Sequence, residues 1–217
     1  MKFSAVIFDL DGVLIDSELH WFREEMKFLK QFNIQLKPAD AFKLSGKSLY
    51  EVAGILKAEH GLLAPIDDLL GQKKAMADKI YRFNARKMRG VDKLLKVLEK
   101  NEYKIAIASG SALKRVKMIV ERFGWKKYFD KLVSTEQVNL LGKPDPAIYR
   151  YAAMSLKVKP ENCLVFEDSL NGVYAAHGAG MQCVGVPDAR WSWGDFSEAD
   201  LVIDSLADKK LFNFLGL

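Results

Sequence analysis

Residues 7–18 read Ile7-Phe8-Asp9-Leu10-Asp11-Gly12-Val13-Leu14-Ile15-Asp16-Ser17-Glu18. An apolar run ends in two carboxylates spaced i, i+2, and a glycine follows. On a strand, i and i+2 point to the same face, so strand geometry carried to its end puts Asp9 and Asp11 in one site. Two acids in one site repel, and folding alone gives no reason to place them there. A site that needs a nucleophile, a proton donor and a metal ligand does give a reason. The competing reading is a turn ending an edge strand, where Asp and Gly are common.

Three later segments end in the same polar fashion. Ile105-Ala106-Ile107-Ala108 runs into Ser109-Gly110-Ser111, offering a hydroxyl and backbone N–H groups to a phosphate oxygen; equally, Ser111 suits an N-cap. In Gly142-Lys143-Pro144-Asp145-Pro146, Pro146 suits the first turn of a helix that Asp145 caps, and Lys143 is stiffened by the proline after it. Such a lysine is a fixed charge for a phosphate, or else a surface lysine in a loop. Val165-Phe166 ends in Glu167-Asp168-Ser169, with Asn171-Gly172 beyond. Hard oxygen ligands of this kind suit Mg²⁺; helix capping by Asp168 or Ser169 is the alternative.

The elements that must hold these groups are legible in the periodicity. Short apolar runs recur at 4–10, 104–109, 131–135, 163–167, 183–187 and 200–203. Helical patterns lie between most of them: Val91, Leu94, Leu95, Leu98; Leu113, Val116, Val120, Phe123; Ile148, Tyr151, Ala152, Leu156. This alternation predicts an α/β fold, a parallel sheet covered by helices on both faces, with ligands at the carboxyl ends of its strands. Between about 18 and 85 the pattern is helical throughout. Trp21, Phe28 and Phe32 share one face of its first helix, and Phe22, Met26 and Leu29 another. We expect a helical insert after the first strand, a small bundle over the sheet's carboxyl edge, with hinges at 12–17 and 84–90. The core would then be 1–16 plus 86–217, and the insert 17–85.

The 217 residues are 49% apolar and 28% charged, which is ordinary globular composition. The net charge of +5 is spread along the chain without a basic run. It is a mild bias toward anionic small molecules or simply a solvated surface, and a nucleic-acid partner would want a clustered basic stripe. Cys163 and Cys183 each open an apolar run and are expected as buried free thiols, forming neither a disulfide nor a metal cluster. The N-terminal apolar run is too short for a signal peptide, and no stretch approaches 18 apolar residues, so neither export nor a membrane is expected. A reducing cytoplasm is the default.

Strand ends carrying acid-acid, Ser, Lys and acid-acid, in that order, are hard to explain by packing. Through Asp9-Leu10-Asp11-Gly12-Val13, Gly142-Lys143-Pro144-Asp145-Pro146 and Phe166-Glu167-Asp168-Ser169, the chain resembles the haloacid dehalogenase superfamily over nearly its whole length. Its helical insert looks like the small cap of the β-phosphoglucomutase-like sugar-phosphate phosphatases. The resemblance implies a Rossmann-like core. It implies Asp9 as nucleophile, forming an aspartyl-phosphate, and Asp11 as general acid and base. Ser109, Gly110 and Lys143 would hold phosphate oxygens. Mg²⁺ would sit on Asp9, the Asp11 carbonyl and Asp168, with Glu167 as a further ligand or a support.

Among the family's activities, Asp11 disfavours halide displacement, since dehalogenases usually lack the second acid. In Leu44-Ser45-Gly46-Lys47-Ser48-Leu49-Tyr50-Glu51, the position where mutases tend to place an Arg and phosphonate-cleaving relatives a Lys is Leu49. The mutases' His aligns with Trp21, one step from His20. A phosphomonoesterase acting on a small phosphorylated metabolite, a sugar phosphate or sugar-acid phosphate, is the expectation. Glu18, Gly46, Lys47 and Ser48 are the candidate substrate contacts from the cap side. A hexose phosphomutase and a non-catalytic binding protein are the alternatives. A monomer or weak dimer is expected.

Overall fold

The computed structural model describes residues 2–32, 34, 49–61, 65–190, 192 and 194–217. In chain order, among the described residues, β1 (Ala5–Phe8) leads to β2 (Ile15–Asp16) and the helices α1 (Glu18–Lys30), α2 (Leu49–His60) and α3 (Ile66–Lys79). A π-helical turn, Ile80–Asn84, returns the chain to β3 (Arg86–Lys87). Then follow α4 (Val91–Lys100), β4 (Lys104–Ser109), α5 (Leu113–Arg122), β5 (Lys131–Ser134), α6 (Ala147–Leu156), β6 (Cys163–Glu167), α7 (Leu170–Gly178), β7 (Gln182–Gly185), β8 (Leu201–Val202) and α8 (Lys209–Leu215).

The six sheet strands are parallel, in the order β5-β4-β1-β6-β7-β8. The strands stand where the sequence places them, trimmed or shifted by a residue or two. Their side chains alternate with period two. Val6, Phe8, Ile105, Ile107, Leu164 and Phe166 face one core layer, under α4, α5 and α8. Ala5, Ile7, Ala106, Ala108, Cys163 and Val165 face the other. That second face is lined with small side chains, and it takes Ala152 and Ala153 of α6 and Ala175 and Ala176 of α7 against it. Both cysteines lie in this layer, free and buried.

β1 lies between β4 and β6, where the strand order reverses. A crevice opens at the carboxyl ends of strands at such a switch point. The residues just past β1, β4 and β6 therefore share one edge, and all the acidic, serine and lysine segments above lie there.

The inserted helices keep an apolar cluster of their own, Phe28, Leu29, Val52, Leu56 and Leu69. Phe22, on the first helix's other apolar face, stays exposed. Two features had no sequence signal. The segments expected as hinges pair with each other, Ile15 with Lys87 and Asp16 with Arg86, antiparallel. Arg115 of α5, almost fully buried, donates from Nε to Asp78 Oδ1 at 2.7 Å and from Nη2 to the Lys74 carbonyl at 3.1 Å. It ties α3 to the sheet-covering helices.

Candidate active site

Asp9 leaves β1 with its N–H still bonded to the Phe166 carbonyl at 3.0 Å, so the ladder holds the residue beyond its last paired position. Its carboxylate is buried and accepts a hydrogen bond from the Lys143 ammonium at Oδ1. Lys143 comes from the loop before α6, whose Lys143–Pro144 peptide is cis, and Asp145 Oδ1 accepts the Ala147 N–H at 2.8 Å as that helix starts. The same ammonium donates to Glu167 Oε1. Glu167 is fully buried. Its Oε1 also accepts from the Tyr149 hydroxyl and its Oε2 from the Ser169 hydroxyl at 3.0 Å. Tyr149 further presents its ring to the ammonium, 5.3 Å from the centroid.

Asp11 is held separately. Gly12 donates to the Ile15 carbonyl at 2.9 Å, and Leu14 and Ile15 donate to the Leu10 carbonyl, which closes a tight turn after Asp11. The Asp11 carboxylate then accepts from Ser17 Oγ at 2.5 Å and Trp21 Nε1 at 3.3 Å on Oδ1, and from the Tyr81 hydroxyl on Oδ2. Tyr81 in turn shares a hydrogen bond of 2.6 Å with Ser111 Oγ. Ser111 is therefore not the cap of α5, whose first N–H, on Leu113, instead donates to Glu136 Oε2 at 3.0 Å.

Gly12 has φ +78°, and a Cβ on it would stand 1.9 Å from Asp168 Oδ2. The absent side chain is what lets the Asp168 carboxylate lie against this turn. Ser169, not Asp168, caps α7, accepting the Gly172 N–H at 3.1 Å. Adjacent acids at the end of β6 are thus split by the strand pleat: Glu167 turns in beneath Lys143, and Asp168 turns toward Gly12.

The carboxylates are short of positive charge. Burial pushes Asp9 up to about 7 against the pull of Lys143, with Glu167 and Asp11 adding to the rise. Burial, then Asp11, Asp9, Asp16 and Asp188, push Glu18 up to about 8. Asp168 is pushed well above the carboxylate range by burial and by Glu18, Glu167 and Asp9. Burial also raises Asp11, and its three donors oppose that rise. Lys143 is raised: Asp9 and Glu167 outweigh its burial. Among the described residues no three His, Cys, Asp or Glu side chains form a ready cation cage. Two carboxylates and a main-chain oxygen, completed by water and substrate, nonetheless match the way Mg²⁺ is usually held. Asp9, the Asp11 carbonyl and Asp168 offer donors of those types. Glu167, occupied by Lys143, Tyr149 and Ser169, is placed to brace the lysine.

Ser109 is buried at the end of β4, and its Oγ accepts the Ser111 N–H at 3.1 Å. The next two carbonyls are tied back toward β5, Gly110 by Thr135 Oγ1 at 3.1 Å and Ser111 by Ser134 Oγ at 2.7 Å. The inserted helices reach this edge. A Cβ on Gly142 would lie 2.3 Å from Glu51 Oε2 of α2, beside Lys143. Gly46, Lys47 and Ser48 lie outside the described residues. Sequence reasoning missed Tyr81, Tyr149, and the part played by Ser17 and Trp21. Ser17 stood in the first motif. Trp21 read as a helix face, and the two tyrosines stood in no motif.

Residues 6–186 match the model of the haloacid dehalogenase-like hydrolase family. The chain belongs to that family. It is 34% identical over 218 residues to a probable pseudouridine-5'-phosphatase of Drosophila melanogaster, covering 96% of this chain and 92% of the relative. It is 31% identical over 213 residues to the bifunctional riboflavin kinase/FMN phosphatase of Arabidopsis thaliana, covering 96% of this chain but 55% of that longer protein. With the 6-phosphogluconate phosphatase of Escherichia coli it shares 29% identity over 183 residues, 83% of this chain and 81% of the relative. In structure, CbbY from Rhodobacter sphaeroides in complex with phosphate superposes with a TM-score of 0.80 at 27% identity, covering 95% and 96% of the two chains. The β-phosphoglucomutase of Clostridium difficile shares the fold, with a TM-score of 0.81 at 24% identity over 98% and 96%. Among the described residues no helix is long and apolar enough to cross a membrane.

Proposed function

We propose that the protein is a Mg²⁺-dependent phosphomonoesterase of small phosphorylated metabolites, a sugar phosphate or sugar-acid phosphate, working through an aspartyl-phosphate on Asp9. The observation that carries this is the pairing of the buried Asp9 carboxylate with an ammonium that Glu167 braces from behind, next to a second, separately held acid. The relatives named as phosphatases support the reaction class, and the 6-phosphogluconate enzyme supports the substrate class.

The electrostatics set what is needed. At ~4 Å and an effective dielectric near 20, a carboxylate meets each negative charge of a phosphate with about 4 kcal/mol of repulsion. Lys143 offsets part of that. A Mg²⁺ held by Asp9, the Asp11 carbonyl and Asp168 would supply two further positive charges to the phosphoryl oxygens. Ser109 Oγ and the Gly110 N–H bind the same oxygens. Phosphoryl transfer needs little beyond such positioning and charge neutralisation.

In the first half-reaction an Asp9 oxygen bonds to phosphorus as the bond to the ester oxygen breaks, and Asp11 gives its proton to the departing alkoxide. In the second, Asp11 takes a proton from water, the water oxygen bonds to phosphorus, and the Asp9 acyl-phosphate bond breaks to release phosphate. Residues 17–85 act as the cap, excluding bulk water during attack. The unpaired thiols support a reducing, cytoplasmic setting.

Asp9→Asn tests the reading. Nearly the same size and shape, it should fold with hydrolysis of phosphate esters lost, and beryllofluoride with Mg²⁺ should bind the wild type alone. Turnover by the variant near the wild-type rate overturns the assignment.

A further inference from the structure

Tyr81 is fully buried on the π-helical turn that brings the chain back from the inserted helices, 70 residues from Asp11. Its hydroxyl donates to Asp11 Oδ2, and among the described residues its other hydroxyl partner is Ser111 Oγ at 2.6 Å. Since a phenol has a single proton to give, Ser111 must donate to Tyr81 when Tyr81 donates to Asp11. The result is a directed chain from the loop after β4 to the acid after β1. Tyr81 is itself fixed: Arg122 of α5 donates to its carbonyl at 2.7 Å, and its ring meets Trp21 edge-on with centroids 6.0 Å apart. The Tyr81 backbone is thus tied to α5, and its ring packs on α1 of the inserted helices.

We propose that Tyr81 is the positioning residue of the general acid, setting the orientation of the Asp11 carboxyl toward the leaving oxygen. This rests on the phosphomonoesterase reading above. Asp11 lies beyond the paired part of β1, so the ladder orients Asp9 but not Asp11. The hydrogen bonds orient Asp11 from two sides, with Ser17 and Trp21 on one oxygen and Tyr81 on the other. Removing the Tyr81 hydroxyl leaves Oδ2 without its donor and frees the carboxyl to turn about its Cβ–Cγ bond.

The leaving group separates this role from a merely structural one. An alkyl phosphate needs its departing oxygen protonated, whereas p-nitrophenolate leaves unaided. The experiment compares wild type, Tyr81→Phe and Asp9→Asn, with Mg²⁺, on glycerol phosphate, glucose 6-phosphate and p-nitrophenyl phosphate. For Tyr81→Phe we expect kcat/KM, which reports formation of the aspartyl-phosphate, to fall about 10- to 100-fold on whichever alkyl esters the wild type hydrolyses. That is part of the 10²–10⁴ that general acid catalysis supplies. On p-nitrophenyl phosphate the fall in kcat/KM should be under about 3-fold, because the water-activation step that Asp11 also serves comes after the leaving group has gone and does not enter this ratio. An equal loss on both ester types, or none on the alkyl esters, overturns the role of Tyr81 and leaves the phosphatase reading intact. A wild type inert on all three esters, or an active Asp9→Asn, overturns the phosphatase reading itself. If Tyr81→Phe does not fold, Ser111→Ala, which cuts the outer link and keeps the ring, should show the same split between ester types at smaller size; an equal loss there also overturns the proposal.

Discussion

Affinity for Mg²⁺ should rise steeply with pH through neutrality. The perturbation is pH alone, applied to the wild-type protein free of divalent ions. Burial holds the Asp9 carboxyl up at about 7 and Glu18 at about 8, and it pushes Asp168 well above its ordinary value on the same edge. A cation must displace the proton from any of these it contacts. With a pKa near 7, about nine-tenths of Asp9 is protonated at pH 6 and about one-tenth at pH 8, so Asp9 alone strengthens apparent binding about tenfold over that span. Asp168, also raised by burial and its acidic neighbours, adds to the slope.

The sign in stability is the reverse for the metal-free protein. A carboxyl raised from 3.8 to about 7 binds its proton more tightly folded than unfolded. Its contribution is fully present below about pH 4 and is lost as pH rises through 7. Saturating Mg²⁺ should flatten that loss. Titration calorimetry at pH 6, 7 and 8, in two buffers of different ionisation heat, gives both the affinity and the protons released. Affinity that stays flat between pH 6 and 8, with no proton release, would refute a cation site built on Asp9 and Asp168.

Gly12→Ala should cost about 1–2 kcal/mol in urea denaturation from its left-handed backbone alone. Because the new Cβ would stand 1.9 Å from Asp168 Oδ2, Mg²⁺ affinity should fall as well; an unchanged affinity would place Asp168 outside the cation site. Arg115→Met keeps the buried stem and removes the two bonds to α3, of which the partner Asp78 is over a third exposed and so partly screened. It should lower stability by about 1–2 kcal/mol and speed amide exchange in α3 more than in β1. Uniform exchange across both elements would show that this arginine does not tie α3 in place.

Glu167 and Asp168 show where sequence reasoning reached its limit. As neighbours after one apolar run they looked alike, and both were candidates for the cation. Only the pleat and the contents of the site separate them, one bonded to Lys143, Tyr149 and Ser169, the other against Gly12. Ser111 likewise fitted an N-cap by local pattern, and a tyrosine 30 residues earlier claims its hydroxyl instead. The paired hinge strands, two residues each, are too short to leave a periodicity.

The sequence by itself determined the order of strands and helices, the two-layered core and the edge where the polar segments gather. These follow from period-two and period-3.6 burial, which are properties of local chain geometry. It also supplied Asp9, Asp11, Ser109 and Asp168 as candidates at the ends of apolar runs, and Lys143 as a lysine stiffened by the proline after it. Tertiary structure alone decided which oxygen each donor takes: Lys143 bridging Asp9 and Glu167, and Tyr81 bridging Asp11 and Ser111. Those contacts span 24 to 134 residues. Hydrogen-bond partners at such separations are chosen by where the folded backbone brings them, and no local spacing in the chain encodes that choice.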